Sequence, residues 1–116
     1  MKKIYHLANC GTCQKILKEV QAEKKGVVLQ DIKTEPITAE QLDEMKKLAG
    51  SYEALFSRKA MKYRSMGLHE KELTEKDYRK LILDEYTFLK RPVAVVNGSI
   101  FIGNTKAVVE SLKQAL

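Results

Sequence analysis

Metal-binding side chains are scarce: the 116 residues contain two cysteines and two histidines. A zinc centre takes about four ligands, usually two C-x-x-C pairs or one pair with two histidines. His6 and His69 do not stand at that spacing, so no metal site is expected. Long apolar runs are also missing; none approaches the roughly 20 residues that a membrane span requires. The apolar stretch after Met1-Lys-Lys is too short for a signal peptide and His6 interrupts it. No interleaved aromatic or zinc-finger pattern is found, so direct nucleic-acid binding is not expected. Repeats, low-complexity segments and linkers are absent. These absences predict one domain with a modest core, no membrane association and a cytoplasmic location. There thiols stay reduced, so a C-x-x-C reads as catalytic, redox-sensing or metal-binding rather than as a structural disulfide.

The net charge is +6, and the densest basic group is Arg58, Lys59, Lys62 and Arg64. That group reads either as a solvated surface or as a site for an anion or an acidic protein.

Local patterns predict an α/β order. Residues 3–7 form a short β-like run. Cys13, Ile16, Leu17 and Val20 then recur at helical spacing, predicting a helix from near Gly11 to near Gly26. Residues 27–32, rich in β-branched side chains, predict a second strand, parallel to the first. Thr38-Ala-Glu-Gln41 is a capping box that opens a helix with Ala39, Leu42, Met45 and Leu48 on its apolar face, ending at Gly50. Residues 51–68 are helical in propensity and close at Gly67. Thr74 to Asp77 opens another helix with Tyr78, Leu81 and Ile82 inward. Nothing from 38 to 85 reads as a strand. Residues 91–103 then read as strand, Asn97-Gly98 turn and strand, because both turn residues tolerate positive φ. A last helix starts near Asn104 or Thr105 and presents Val108, Val109, Leu112 and Leu116. The two β-containing ends must meet across the helical segment, since neither buries a sheet face alone.

The segment NCGTCQKIL, residues 9–17, carries the chemistry. A C-x-x-C beside a βαβ unit reads as a thioredoxin-like redox motif. Cys10 lies at the strand-to-helix junction, where first-turn N–H groups lack intrahelical partners and favour a thiolate. Gly11 and Thr12 leave the backbone open to a ligand. Cys13, one turn later, is placed to attack a mixed disulfide on Cys10. Cys10 is therefore the expected nucleophile and Cys13 the expected resolving thiol; a buried, inert Cys13 on the apolar helix face is the other reading. His6, four residues before Cys10, either assists the thiolate or has a structural role. Arg91 precedes Pro92, which belongs at a strand start or a cis turn. An arginine there either grips an oxyanion or sits on the surface.

HLANCGTC, LFSRKAMKY…GL and KRPVAVVNG…IG, in this order, resemble the arsenate reductase (ArsC)/Spx family over essentially the whole chain. The resemblance implies a thioredoxin-like fold: a four-stranded mixed sheet built from residues 1–35 and 89–116, with a helical insert at about 38–88. It also implies a cis peptide at Pro92. In glutaredoxin-coupled members one cysteine attacks arsenate while arginines hold its oxygens. These roles carry over to Cys10 as nucleophile, His6 beside it, and Arg58 and Arg91 as anion-binding groups. Gly103 stands where those reductases carry a further arginine, and Lys106 follows it. The C-x-x-C is the pattern of the Spx branch, whose members bind the RNA polymerase α subunit and sense thiol oxidation. Gly50 stands where Spx proteins have a glycine that matters for that contact; it also fits a helix C-cap. The resemblance implies a thiol oxidoreductase acting on an oxyanion or a glutathione mixed disulfide. No bound cofactor is expected, and glutathione, glutaredoxin or thioredoxin would be the reductant. The alternative it implies is an Spx-type redox-sensing regulator.

Overall fold

β1 (Lys2–His6) and β2 (Val28–Asp31) flank α1 (Gly11–Glu19). β3 (Val93–Val96) and β4 (Ser99–Ile102) form a hairpin followed by α5 (Lys106–Ala115). Between these ends lie α2 (Ala39–Ala49), α3 (Met61–Ser65) and α4 (Glu75–Asp84). The computed structural model describes residues 1–116 and divides into two compact units, 1–36 with 91–116, and 37–90. No helix is long and apolar enough to cross a membrane.

In the first unit the four strands lie in the order β2-β1-β3-β4. β1 pairs parallel with β2 and antiparallel with β3, so the chain's two ends do share one mixed sheet. The architecture is α/β with a mixed four-stranded sheet. Asn97 and Gly98, at φ +49° and +87°, make the two-residue turn between Val96 and Ser99. That is the backbone an Asn-Gly pair supplies at little cost. Ile4, Ala94 and Phe101 stand opposite one another across three strands. Ile16, Leu17 and Val20 from the α1 segment and Val109 and Leu112 from α5 pack in the same core.

α1 ends at Glu19, not near Gly26. Ala22 is buried, but a continued helix would rotate it off the stripe formed by Cys13, Ile16, Leu17 and Val20. Gln21 instead adopts φ +56°, and the Ala22 N–H donates to the Leu17 carbonyl at 3.1 Å. A series of turns follows, and Val27 returns to the core. β2 is correspondingly shorter than expected.

In the second unit the capping box expected at Thr38 forms, and the helix start expected at Thr74 is a capping box as well. Gln41 N–H donates to Thr38 Oγ1 at 3.0 Å, and Thr38 N–H donates to Gln41 Oε1 at 3.0 Å. Asp77 closes the equivalent box with Thr74. Gly50 ends α2 at φ +97°, a conformation that favours glycine, so helix termination accounts for this residue. Ala39 and Leu48, expected on the inner face of α2, are exposed; only Leu42 and Met45 are buried. On α4, Tyr78 and Ile82 are buried and Leu81 half-buried.

The stretch 51–68 departs most from expectation. It holds a 3₁₀ turn (Glu53–Leu55), then extended residues, then the five-residue α3, and a second 3₁₀ turn (Leu68–Glu70) begins at its end. Phe56 is extended and forms an antiparallel bridge with Leu89, the one strand-like contact in the insert. Ser57 N–H donates to the Phe88 carbonyl at 2.7 Å and Lys90 N–H to the Leu55 carbonyl at 2.8 Å. The Phe56 ring lies 4.9 Å from Tyr78, 5.0 Å from Phe88 and 5.9 Å from Tyr63, measured between centroids. Burying it in this cluster overrides the segment's helical propensity.

Candidate active site

β1 delivers the chain to the site and α1 carries it away. At the end of β1 the buried Leu7 turns its carbonyl toward the next segment, where it accepts the Cys10 N–H at 3.1 Å. This closes a four-residue turn through Ala8 and Asn9. Cys10 is the helix N-cap, with extended backbone (φ −99°, ψ 112°). Its side chain makes no capping hydrogen bond as a thiol. The first-turn N–H groups are thus left facing its sulfur, as an anion there would require.

Both cysteines are reduced; Cys10 is half-buried and Cys13 fully buried. The same surroundings push their acidities apart. The Cys13 N–H lowers the Cys10 pKa most; burial, the next largest influence, raises it, and the Cys13 thiol, the Thr12 N–H and the positive charge of Arg91 lower it further. Burial raises the Cys13 pKa to about 11, with its neighbour Cys10 adding to the rise, while the Leu7 N–H and Arg91 oppose it. The surroundings thus favour the thiolate at Cys10 and the thiol at Cys13, which donates toward it.

The surroundings leave room for a ligand. A methyl group added at the exposed Gly11 would meet no atom within 4 Å. Thr12 is also exposed. Arg91 is half-buried, precedes a cis peptide to the buried Pro92, and is the only arginine of the first unit. Gly103 N–H donates to the Pro92 carbonyl at 2.9 Å. His6 is buried, its carbonyl accepts the Ile32 N–H at 2.9 Å, and its Nδ1 has no hydrogen-bond partner. No three His, Cys, Asp or Glu side chains converge as a metal cluster would.

The sequence model of the ArsC family matches residues 5–112. The chain belongs to the ArsC family. Among solved structures, a YffB protein is 21% identical, with 100% of this chain and 99% of that one covered and a TM-score of 0.84. An arsenate reductase from Vibrio cholerae is 18% identical over 99% of this chain and 97% of its own, with a TM-score of 0.78. An arsenate reductase (ArsC) related protein from Brucella melitensis is 27% identical over 95% and 92%, with a TM-score of 0.70. The fold is therefore the thioredoxin-like fold of these ArsC neighbours. No match is found among curated proteins.

In this ArsC-family chain the expected site residues divide between the units. His6, Cys10, Gly11, Thr12, Cys13, Arg91 and Pro92 belong to the first, and within it Cys10, Cys13, Thr12 and Arg91 act on one another. Arg58 belongs to the second unit. There its guanidinium donates to Glu53 at 2.7 Å and to the Tyr78 hydroxyl at 3.0 Å, and lies over the Tyr78 ring. The Glu53 carboxylate raises its pKa. Two features were not read from the sequence: the backbone conformation at Gly103 and the side-chain bond of Gln14. Gly103 is at φ +92°, where a side chain is strained, so this position favours glycine over arginine. Gln14 donates from Nε2 to the Leu7 carbonyl at 3.2 Å. A polar side chain in the first turn beside a C-x-x-C was its only sequence signal.

Proposed function

We propose that this ArsC-family protein is a thiol oxidoreductase of the arsenate-reductase type, with Cys10 as nucleophile and Cys13 as resolving thiol. The observation that carries the reading is Cys10 at the N-cap of α1, flanked by the Thr12 and Cys13 N–H groups and the Arg91 charge, with a neutral thiol one turn away. On a glutathione mixed disulfide, the Cys10 thiolate attacks the glutathione sulfur. The old S–S bond breaks, and the departing thiolate takes a proton from water. Cys13 then attacks the Cys10 sulfur, forming the Cys10–Cys13 disulfide and releasing glutathione, or a second glutathione attacks the glutathione sulfur of the adduct, forming oxidised glutathione and releasing the Cys10 thiolate. On arsenate, Cys10 displaces an oxygen as water and forms an S–As bond. A second thiol attacks the Cys10 sulfur, the bonding pair passes to arsenic, and arsenite leaves. In either case two electrons from glutathione, glutaredoxin or thioredoxin restore the thiols.

Arg91 neutralises anionic charge beside the reacting sulfur; a planar guanidinium suits an oxyanion or the glutathione carboxylates. Pro92, Gly11 and Thr12 line the substrate position. His6 assists the thiolate. The resemblance also gives Arg58 an anion-binding role. With Gly103 in place of a third arginine, the mixed disulfide is the better-matched substrate.

An assay of arsenate reduction with glutathione and glutaredoxin, run beside a thioredoxin-coupled one and beside reduction of a glutathionylated peptide, tests the reading. Turnover of the glutathionylated peptide, with slower or no arsenate turnover, is expected. Absence of all three activities, together with oxidant-dependent binding of the RNA polymerase α C-terminal domain, would replace the enzyme with the Spx-type regulator.

A further inference from the structure

The Leu7 carbonyl accepts two hydrogen bonds, from Cys10 N–H at 3.1 Å and from Gln14 Nε2 at 3.2 Å. The Gln14 backbone N–H donates to the Cys10 carbonyl at 3.0 Å. Gln14 is therefore bonded to both ends of the turn from Leu7 to Cys10, one end through its side chain and the other through its main chain. Helical side chains point back toward the N-terminus, so a residue in the fourth helical position overlies the first turn and the loop before it. Glutamine has the reach, and its NH₂ supplies the donor that the strand-end carbonyl accepts.

We propose that Gln14 is a positioning residue for the thiol pair, clamping the turn that sets Cys10 at the helix N-terminus and aims the Leu7 N–H at Cys13. The inference rests on the thiol-oxidoreductase reading of the site. Ala8 and Asn9, the two inner residues of the turn, are exposed, and the Cys10 side chain caps nothing. Closure of the turn thus falls to the Cys10 N–H and the Gln14 carboxamide. Loss of the carboxamide donor loosens the geometry between the Cys10 sulfur and the Thr12 and Cys13 N–H groups, and also the geometry between Leu7 and the Cys13 sulfur. The Gln14 carboxamide acts through the Leu7 carbonyl.

The test uses Gln14→Met, which keeps the stem length and removes the donor, and Gln14→Asn, which keeps the carboxamide and falls one methylene short. The rate of iodoacetamide addition to Cys10 is followed against pH by peptide mass spectrometry. Cys10–Cys13 closure is timed in the same samples under a fixed oxidised-to-reduced glutathione ratio. Both variants are expected to keep the wild-type far-UV spectrum, to move the alkylation midpoint upward, and to slow closure by up to about tenfold, the effect of one neutral hydrogen bond. An upward shift of the midpoint separates this role from a general loss of packing, because greater exposure of the Cys10 sulfur would remove the influence of burial and move the midpoint downward. Folded variants with the wild-type midpoint and closure rate would overturn the role of Gln14 and leave the thiol reading intact. A wild-type Cys10 that already titrates as a free thiol would overturn both.

Discussion

Replacing Cys10 with serine is expected to lower turnover of a glutathionylated peptide by about 10³-fold or more. Serine keeps the size and the N-cap position, but its hydroxyl does not ionise near neutral pH and forms no stable disulfide. The N–H groups of Thr12 and Cys13 and the charge of Arg91 would then stabilise an anion that never forms. Cys13→Ser separates the two sulfurs' roles. It leaves the nucleophile in place, so the first attack survives and a Cys10–glutathione adduct accumulates until external glutathione resolves it. Steady-state rates at several glutathione concentrations, with intact-mass measurement of the adduct, distinguish the two variants. If Cys10→Ser retained wild-type turnover, the assignment of the nucleophile would be wrong. A Cys13→Ser protein that turned over normally without an adduct would make Cys13 a packing residue.

Phe56→Ala is expected to cost about 3–5 kcal/mol, the range for truncating a buried phenylalanine. Phe56 is fully buried, contacts the rings of Tyr63, Tyr78 and Phe88, and supplies the bridge to Leu89. Its loss opens a cavity where three segments of the 37–90 unit meet. A cost of that size is a large part of a small domain's total stability. Urea unfolding should therefore show a large fall in midpoint for Phe56→Ala and a much smaller one for Phe56→Leu. Equal, small effects of the two would mean that the aromatic cluster does not organise this unit.

The parts of the fold readable in the sequence are those fixed within a few residues. The Asn97-Gly98 turn, the Thr38 and Thr74 caps and the Gly50 stop each depend on a local conformational preference, and each formed where it was read. The N-cap position of Cys10 was legible for the same reason, since a strand must hand over to a helix between His6 and Cys13. What was not legible depends on distant partners. Nothing local distinguishes Glu19 from Gly26 as the end of α1; the need to bury Ala22 and Val27 in the sheet-facing core decides it. Residues 51–68 have helical propensity, yet Phe56 is drawn into an extended bridge by Leu89, thirty-three positions later. The Glu53 partner of Arg58 and the Gln14 clamp on Leu7 likewise become visible only once backbone geometry brings them together.

The two thiols also predict opposite pH dependences. The folded protein favours the Cys10 thiolate, so this group adds stability at pH values above its unfolded pKa, and that stability is lost as pH falls through the lower, folded value. Cys13 is the reverse. Its buried thiol favours the folded state below the ordinary thiol range, and this is lost as pH rises toward about 11. A protein with both cysteines therefore exposes one reactive sulfur, not two, across the neutral range.

The most direct test of this asymmetry is the rate of iodoacetamide alkylation of wild-type protein against pH, with Cys10 and Cys13 resolved by peptide mass spectrometry. The predicted result is modification of Cys10 alone, rising with a midpoint below the free-thiol value of about 8.5, and a Cys13 that stays unmodified until the protein unfolds. A Cys10 midpoint at or above that value, or equal labelling of both residues in the folded protein, would contradict the account.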